Sequence, residues 1–145
     1  MKTIIAALLV SVSTLASFAA DTNAVTVSPS VAKDSRCFEM RTYYAAPGKL
    51  EALNARFRDH TCALFKKHGM EIVGFWMPTE KEQGAEIKLV YLLAHKSREA
   101  AKQSWKEFGG DPEWKKARTA SEVNGKLVEK VETVFMAATD YSPVK

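Results

Sequence analysis

The chain has 145 residues, with 21 lysines and arginines against 17 aspartates and glutamates. A chain of this length in which 46% of the residues are apolar suits one domain built around one core. The basic residues are scattered among acidic ones and lack interleaved aromatic residues, so nucleic-acid binding is excluded from the expected functions.

The N-terminus has the layout of a secretory signal peptide. One lysine precedes a small and apolar run from Ile4 to Val12, and small residues around Ala19 fit a cleavage site. This run is shorter than the roughly 20 residues that span a bilayer, so we expect no membrane span after cleavage. The sequence predicts a signal peptide over residues 1–19, a flexible linker over 20–35 and a domain over 36–145, in a periplasmic or secreted protein.

The domain begins with a strand and a helix. Alternating residues in RCFEMRTYYA predict a strand with two different faces. Apolar residues then recur every three or four positions as far as HG at 68–69, which predicts an amphipathic helix. Pro47 suits the first turn of this helix, and Gly69 suits its C-terminal cap.

Two strands follow the first helix. MEIVGFWM predicts a second strand, which Pro78 ends. EIKLVYLLAH is apolar on both faces, which indicates a central strand covered on both sides.

The run SWKEFGGDPEWKKAR predicts a helix that breaks and starts again. Ser97 suits the N-cap of the first piece, and Gly109 is predicted to end it in the left-handed conformation. Asp111 then caps the second piece, with Pro112 in its first turn. A phosphate-binding loop would follow a strand, so we interpret Gly-Gly-Asp-Pro as the boundary between two helices.

A last strand, KLVEKVETVFMAATDYS, completes the order strand, helix, strand, strand, helix pair, strand. With right-handed crossovers this order predicts an α+β fold, a ferredoxin-like βαββαβ subunit with a broken second helix.

Five motifs in this order resemble the NIPSNAP family. They are FEMRTYYAAPGKLEALNARF, HGMEIVGFW, VYLLAH, SWKEFGGDPEWKKA and TDYS. The resemblance covers about residues 36–142 and implies a dimeric α/β barrel, in which the uncovered sheet face of one subunit packs against that of a second copy. The family supplies no agreed catalytic residues, so none is carried over to this chain, and whether it is an enzyme stays open.

The faces of the first and last strands suggest a polar site. We assign the apolar set to the helix-covered face: Phe38, Met40, Val131 and Phe135. The opposite face then carries Glu39, Arg41, Tyr43, Lys130 and Glu132. Covered by a partner sheet, these charges must pair and would line a cavity; in a monomer they would form a solvated salt-bridge patch.

Within that cavity Arg41 would anchor an anion or carbonyl group, because its planar fork suits planar oxygens. Glu39 would orient Arg41 or act as a base, and Tyr43 and Tyr91 would donate hydrogen bonds. The complete predicted ligand-binding set is Glu39, Arg41, Tyr43, Trp76, Tyr91, Trp105, Lys130 and Glu132. No catalytic residue is assigned.

Aromatic residues form a second group, namely Trp76, Trp105, Phe108 and Trp114. They fit core packing under the sheet, or a ligand lid made from the broken helix.

Histidine and cysteine residues give no defined site. His68, His95 and Cys37 fall at one end of the predicted sheet, but their faces do not converge, and we predict no metal and no cofactor. An oxidising compartment favours a disulfide between Cys37 and Cys62, whereas their predicted directions point apart, so this pairing stays open.

These observations favour a homodimer that binds, with or without transforming, a small apolar or aromatic ligand carrying an anionic or carbonyl group. The ligand would lie in the sheet-lined barrel cavity. The alternative is a non-catalytic protein–protein interaction module.

Overall fold

The computed structural model describes residues 27–145. Its strands are β1 Cys37–Ala45, β2 Glu71–Trp76, β3 Lys88–His95 and β4 Val128–Ala137. Its α-helices are α1 Leu50–Arg56, α2 Cys62–Lys67, α3 Arg98–Gly110 and α4 Pro112–Ser121. A π-helical turn, Phe57–Thr61, joins α1 to α2, and a 3-10 turn, Lys81–Gln83, precedes β3. In the described range no helix has the length and apolar character needed to cross a membrane.

The four strands form one antiparallel sheet in the order β2-β3-β1-β4. The predicted α+β, ferredoxin-like βαββαβ order is confirmed, and β3 occupies the predicted central position. The helices lie on one side of the sheet, called here the helix face; the other side is the open face.

The core lies between the helix face and the helices. Tyr91 and Leu93 of β3 are fully buried against Leu53 of α1 and Phe65 of α2. Each such side chain contributes about 1.5–3 kcal/mol of burial free energy, so this layer favours folding strongly. The π-helical turn adds Phe57, whose ring lies 5.3 Å from that of Tyr91.

Caps fix the ends of α3 and α4. The Ser97 hydroxyl accepts a hydrogen bond from the Ala100 amide at 3.1 Å, and the Asp111 carboxylate accepts one from the Glu113 amide at 2.7 Å. Both predicted N-caps are therefore confirmed. The role predicted for Gly109 is wrong: it lies inside α3 without a positive φ, and Asp111, in extended conformation, ends the helix.

Asp111 also joins the end of α2 to the break between α3 and α4. His68 Nε2 lies 2.7 Å and Lys67 Nζ 3.0 Å from its carboxylate. The hydrogen bonds from His68 and Lys67 hold the pKa of Asp111 far below its usual value. The Gly-Gly-Asp-Pro run is thus a structural junction.

The strand register corrects the predicted faces of β1. Residues directly opposite each other in an antiparallel pair share a face, and Glu39 lies opposite Phe135, Arg41 opposite Thr133. Trp105 of α3 donates a hydrogen bond to Glu39, so this is the helix face. The predicted faces of β4 are confirmed.

The odd-numbered residues of β1, Glu39, Arg41 and Tyr43, therefore face the helices, and Phe38 and Met40 face the opposite way. Their predicted assignment is wrong because it took the more apolar side of β1 as the covered one. The open face is itself apolar, with Val73, Leu92, Val134 and Met136 around β1.

Part of the predicted linker lies against the sheet. Val31 forms a bridge with Thr139, and the Ala32 amide donates to the Ala138 carbonyl at 2.9 Å. The described residues of the segment predicted to be flexible are thus bonded to the end of β4. The predicted signal peptide and the start of the linker lie outside the described residues.

Candidate ligand site between the helices and the last strand

A buried carboxylate network lies at the centre of the helix face. Glu39 is fully buried, and one of its oxygens accepts hydrogen bonds from His95 Nε2 at 3.0 Å and Trp105 Nε1 at 2.6 Å. The other oxygen accepts from Arg41 Nε at 2.7 Å. Three hydrogen-bond donors therefore surround the carboxylate of Glu39.

These donors keep Glu39 ionised. Burial by itself raises the pKa of the carboxyl, but the hydrogen bonds from His95, Trp105 and Arg41 outweigh it and lower the pKa below its ordinary value. A buried carboxylate without such partners would cost several kcal/mol. Glu39 is therefore ionised near neutral pH, and its negative charge holds Arg41 in place.

Arg41 is held by stacking as well as by charge. Its guanidinium carbon lies 3.6 Å from the centre of the Trp105 ring, and its side chain is 19% exposed. Only Nε binds Glu39; among residues 27–145 the two terminal nitrogens have no hydrogen-bond partner, yet they keep contact with solvent. Four N–H donors are thus available at a fixed position.

Two tyrosines continue the helix face beside Arg41. The Tyr43 ring lies 5.3 Å from that of Tyr91 and 5.6 Å from that of Phe57. The Tyr91 hydroxyl is closed off from solvent and has no well-directed partner in the described part of the chain. Burial is the main cause that raises the pKa of Tyr91 well above its usual value, and the neighbouring Tyr43 raises it further. Tyr91 therefore remains a neutral phenol.

The helices cover little of β4, and a cleft opens beside residues 128–131 of this strand. On the helix face of β4, Val131 is 40% exposed and Thr133 is also exposed. The cleft has a volume of about 360 Å³ between β4 and the helices. Its aromatic lining consists of Tyr43, Phe57, Phe65, Phe108 and Trp114.

Basic side chains outnumber acidic ones around the cleft. The basic ones are Arg56, Arg118, Lys126 and Lys130, against Glu122 and Glu129. Arg56 is buried, stacks 5.2 Å from the centre of the Trp114 ring and pairs with Glu122 at 2.9 Å. Its Nε is buried without a partner among the described residues. The excess of cations favours an anionic guest.

The predicted site residues therefore divide into two groups. Five lie together on the helix side: Glu39, Arg41, Tyr43, Tyr91 and Trp105. Trp76 and Glu132 do not join them, and Lys130 borders the cleft but binds Glu132 with its ammonium group. Glu132 binds Lys130 at 2.6 Å and the Tyr44 hydroxyl at 2.9 Å on the open face, and Trp76 lies 53% exposed at its edge.

Sequence reasoning missed Arg56 and Arg98. Arg56 follows Leu53 by three positions on the buried side of α1, and a charged residue at such a position is the signal that could have found it. Arg98 lies with its guanidinium carbon 3.1 Å from the centre of the Phe135 ring. No local pattern indicates that contact, because it depends on the packing of α3 against β4.

Cysteines and metal-ligand residues add nothing to this site. Cys37 and Cys62 are unpaired. No group of three or more histidine, cysteine, aspartate or glutamate residues in the described range is arranged to hold a metal ion.

Known proteins match the chain in family and in fold. The model of the NIPSNAP family matches residues 38–143. A NIPSNAP family protein of unknown function from Agrobacterium tumefaciens is 22% identical, with a TM-score of 0.68 over 79% of this chain and 98% of its own. An uncharacterised NIPSNAP-like domain protein from Burkholderia xenovorans is 15% identical, with a TM-score of 0.65 over 76% of this chain and 90% of its own. No functionally curated protein matches the sequence.

Proposed function

The chain belongs to the NIPSNAP family, and from this premise we propose that it binds a small aromatic or apolar molecule carrying an anionic or carbonyl group. The binding site is the cleft between the helices and β4, on the helix face of the sheet. This location replaces the cavity between two open faces, because Glu39, Arg41 and Tyr43, which were expected there, lie on the helix side.

The aromatic lining is the observation that carries the proposal. Phe108 and Trp114 lie 4.5 Å apart between ring centres at the junction of α3 and α4, and Tyr43 stands across the cleft on β1. Flat aromatic walls around an opening of this size favour a flat apolar guest, and a ring stacked on an aromatic side chain gains about 0.5–1.5 kcal/mol beyond burial.

The charge of the cleft supports an acidic or carbonyl-bearing guest. Arg56 and Arg118 share one carboxylate, Glu122, at 2.9 and 3.3 Å, so the pair retains a net positive charge. Such an excess beside an apolar wall attracts an anion and orients it with its ring inward.

We further propose that the chain is exported and works as a homodimer through its open face. Val134 and Met136 of β4 and Trp76 of β2 are exposed on this apolar face, which favours cover by a second copy. Tyr44, Lys88, Lys130 and Glu132 form a polar end with both signs of charge, a pattern that can pair with itself across a two-fold axis.

The rival function is a non-catalytic protein–protein interaction module. The apolar open face is the observation that favours it, because such a face also suits a different protein. A dimer in which the cleft takes up a small molecule favours the ligand-binding function. A monomer with an empty cleft that captures another protein through the open face favours the rival.

The test uses native mass spectrometry of the exported protein, followed by titration with 2-naphthoate. We expect a dimer with a co-purified acidic ligand, or saturable binding of 2-naphthoate. Trp114→Leu should weaken that binding about tenfold, since it removes one aromatic wall. Trp76→Leu is the matched control, because it removes a tryptophan from the open face; equal losses in the two variants would contradict the assignment of the cleft.

A further inference from the structure

We propose that the terminal nitrogens of Arg41 bind the carboxylate of the ligand that occupies the cleft. This inference rests on the proposed function and assigns one residue as the point that selects an acid over a neutral analogue. Four observations support it: the unused donors of Arg41, the locked state of Glu39, the stacking on Trp105 and the position of Arg41 beside the cleft.

The first observation is the way Arg41 pairs with Glu39. A guanidinium and a carboxylate usually pair through two parallel hydrogen bonds. Here Nε alone reaches Glu39, at 2.7 Å, and the terminal nitrogens bind no residue in the described range. The side chain is four-fifths buried, so these donors have little water available and gain from a bound oxyanion.

The second observation explains why Glu39 does not take both donors. Its other oxygen already accepts from His95 and Trp105, at 3.0 and 2.6 Å. Turning the carboxylate towards the terminal nitrogens of Arg41 would break both of those hydrogen bonds. The network thus holds Glu39 in place and leaves the outer part of the guanidinium free.

The third observation is that the plane of the guanidinium is fixed before any ligand arrives. Trp105 stacks on one side at 3.6 Å and donates its own N–H to Glu39, so the ring and the guanidinium are locked by one carboxylate. Because the guanidinium is already fixed, it loses little conformational entropy when it binds a planar carboxylate.

The fourth observation is the position of Arg41, which is not itself part of the cleft lining but is the next residue along the same face of β1 from Tyr43. Tyr43, which lines the cleft, lies two positions along β1 on the same face, and their partners on β4 are Val131 and Thr133. Two residues along a strand span about 7 Å, a distance that a one- or two-ring aromatic acid covers. Thr133 is exposed, so the approach to Arg41 along β4 is open.

The surrounding charge agrees with a monoanionic guest. The charge of Glu39 balances that of Arg41. Arg98 lies on the same face, against the ring of Phe135, which is opposite Glu39 in the sheet. Arg98 has no carboxylate partner among the described residues. A single carboxylate entering here completes the charge balance of the two arginines.

The experiment compares 2-naphthoate with the uncharged analogue 2-naphthylmethanol, using the full exported protein and calorimetry. Wild type should prefer the acid. Arg41→Lys keeps the positive charge facing Glu39 but removes the planar fork. We expect it to weaken 2-naphthoate binding about tenfold or more and to leave 2-naphthylmethanol unchanged, as when charge-assisted hydrogen bonds are lost.

Arg36→Lys is the matched control. Arg36 also pairs with a glutamate, Glu71 at 2.6 Å, and also lies over an aromatic ring, Phe38 at 5.4 Å, but it is remote from the cleft. Both affinities should stay at the wild-type level in this variant. In nitrogen-detected NMR of wild type, the terminal N–H signals of Arg41 should shift with the acid and not with the alcohol.

The outcomes distinguish the role of Arg41 from the proposed function of the cleft, on which it rests. If wild type binds both probes and Arg41→Lys retains the preference for the acid, the role of Arg41 is overturned and the cleft stands. If neither probe binds wild type, the proposed function fails together with this inference. Equal losses in Arg41→Lys and Arg36→Lys would also overturn the role of Arg41.

Discussion

The two faces of the sheet handle polar residues in different ways. On the helix face a buried carboxylate, Glu39, is satisfied by partners from its own chain, including Trp105. The open face is mainly apolar, and its ion pair between Lys130 and Glu132 lies near one end in contact with solvent. The face with the buried charge is the one that the helices cover.

This difference shows that apolarity alone does not identify the inner side of such a sheet. A charged residue can lie inside when a hydrogen-bond network offsets its desolvation, and we expect a second copy to cover the apolar surface that lies outside. Substitutions on the two faces and at the helix junction should therefore differ in their effects on stability and assembly.

Arg41→Met should have the largest effect, a loss of about 3 kcal/mol in the free energy of unfolding, because it leaves the buried charge of Glu39 without its permanent cation. Adding Glu39→Gln should recover part of the loss. Arg36→Met is the control: its pair with Glu71 is exposed, so it should cost less than about 1 kcal/mol. Urea denaturation measures all three variants, and wild-type stability in Arg41→Met would refute the network.

Trp76→Ala tests the open face. Trp76 is 53% exposed in one subunit. A large aromatic residue that becomes buried at an interface contributes about 2 kcal/mol, so its removal should weaken the proposed dimer roughly thirtyfold. Gly74→Ala should act in the same direction, because a Cβ at position 74 would meet the Trp76 ring at 2.8 Å. Sedimentation equilibrium measures the dissociation constant; a dimer unaffected by Trp76→Ala would argue against this interface.

Asp111→Asn tests the helix junction. Asparagine can still cap α4, but it lacks the negative charge of Asp111 that binds His68 and Lys67. Since the folded-state pKa of Asp111 lies below its unfolded value, its contribution is present above about pH 4 and is lost as the pH falls towards the folded pKa. The stability gap between wild type and Asp111→Asn should narrow below pH 4, and a gap independent of pH would contradict this account.

Gly109→Ala should have the smallest effect and the opposite sign. Gly109 is helical and a Cβ there meets nothing within 4 Å, so alanine should raise the free energy of unfolding by about 0.5–1 kcal/mol. Gly69→Ala is the contrasting control, because Gly69 has a φ of 71° and alanine in that conformation should destabilise the protein. Destabilisation by both changes would restore the left-handed role for Gly109.

Sequence patterns were sufficient to predict the elements, their order and the caps at Ser97 and Asp111, because these depend on neighbours a few residues away. The face of β1 was not predictable in this way. The hydrogen bond between Trp105 and Glu39 joins residues 66 positions apart, and only the packing of α3 on the sheet brings them together. The cleft likewise depends on how far the helices extend over β4.

The three tryptophans of the chain test the central claim, that the helix face binds the ligand and the open face binds a second copy. Trp105 belongs to the Glu39 network, Trp114 lines the cleft and Trp76 lies on the open face. Their indole N–H signals can be followed by NMR during addition of 2-naphthoate and, separately, during dilution. We expect 2-naphthoate to shift the signals of Trp105 and Trp114, and dilution to shift the signal of Trp76. A ligand-induced shift confined to Trp76, or a dilution-induced shift confined to Trp105 and Trp114, would contradict this claim.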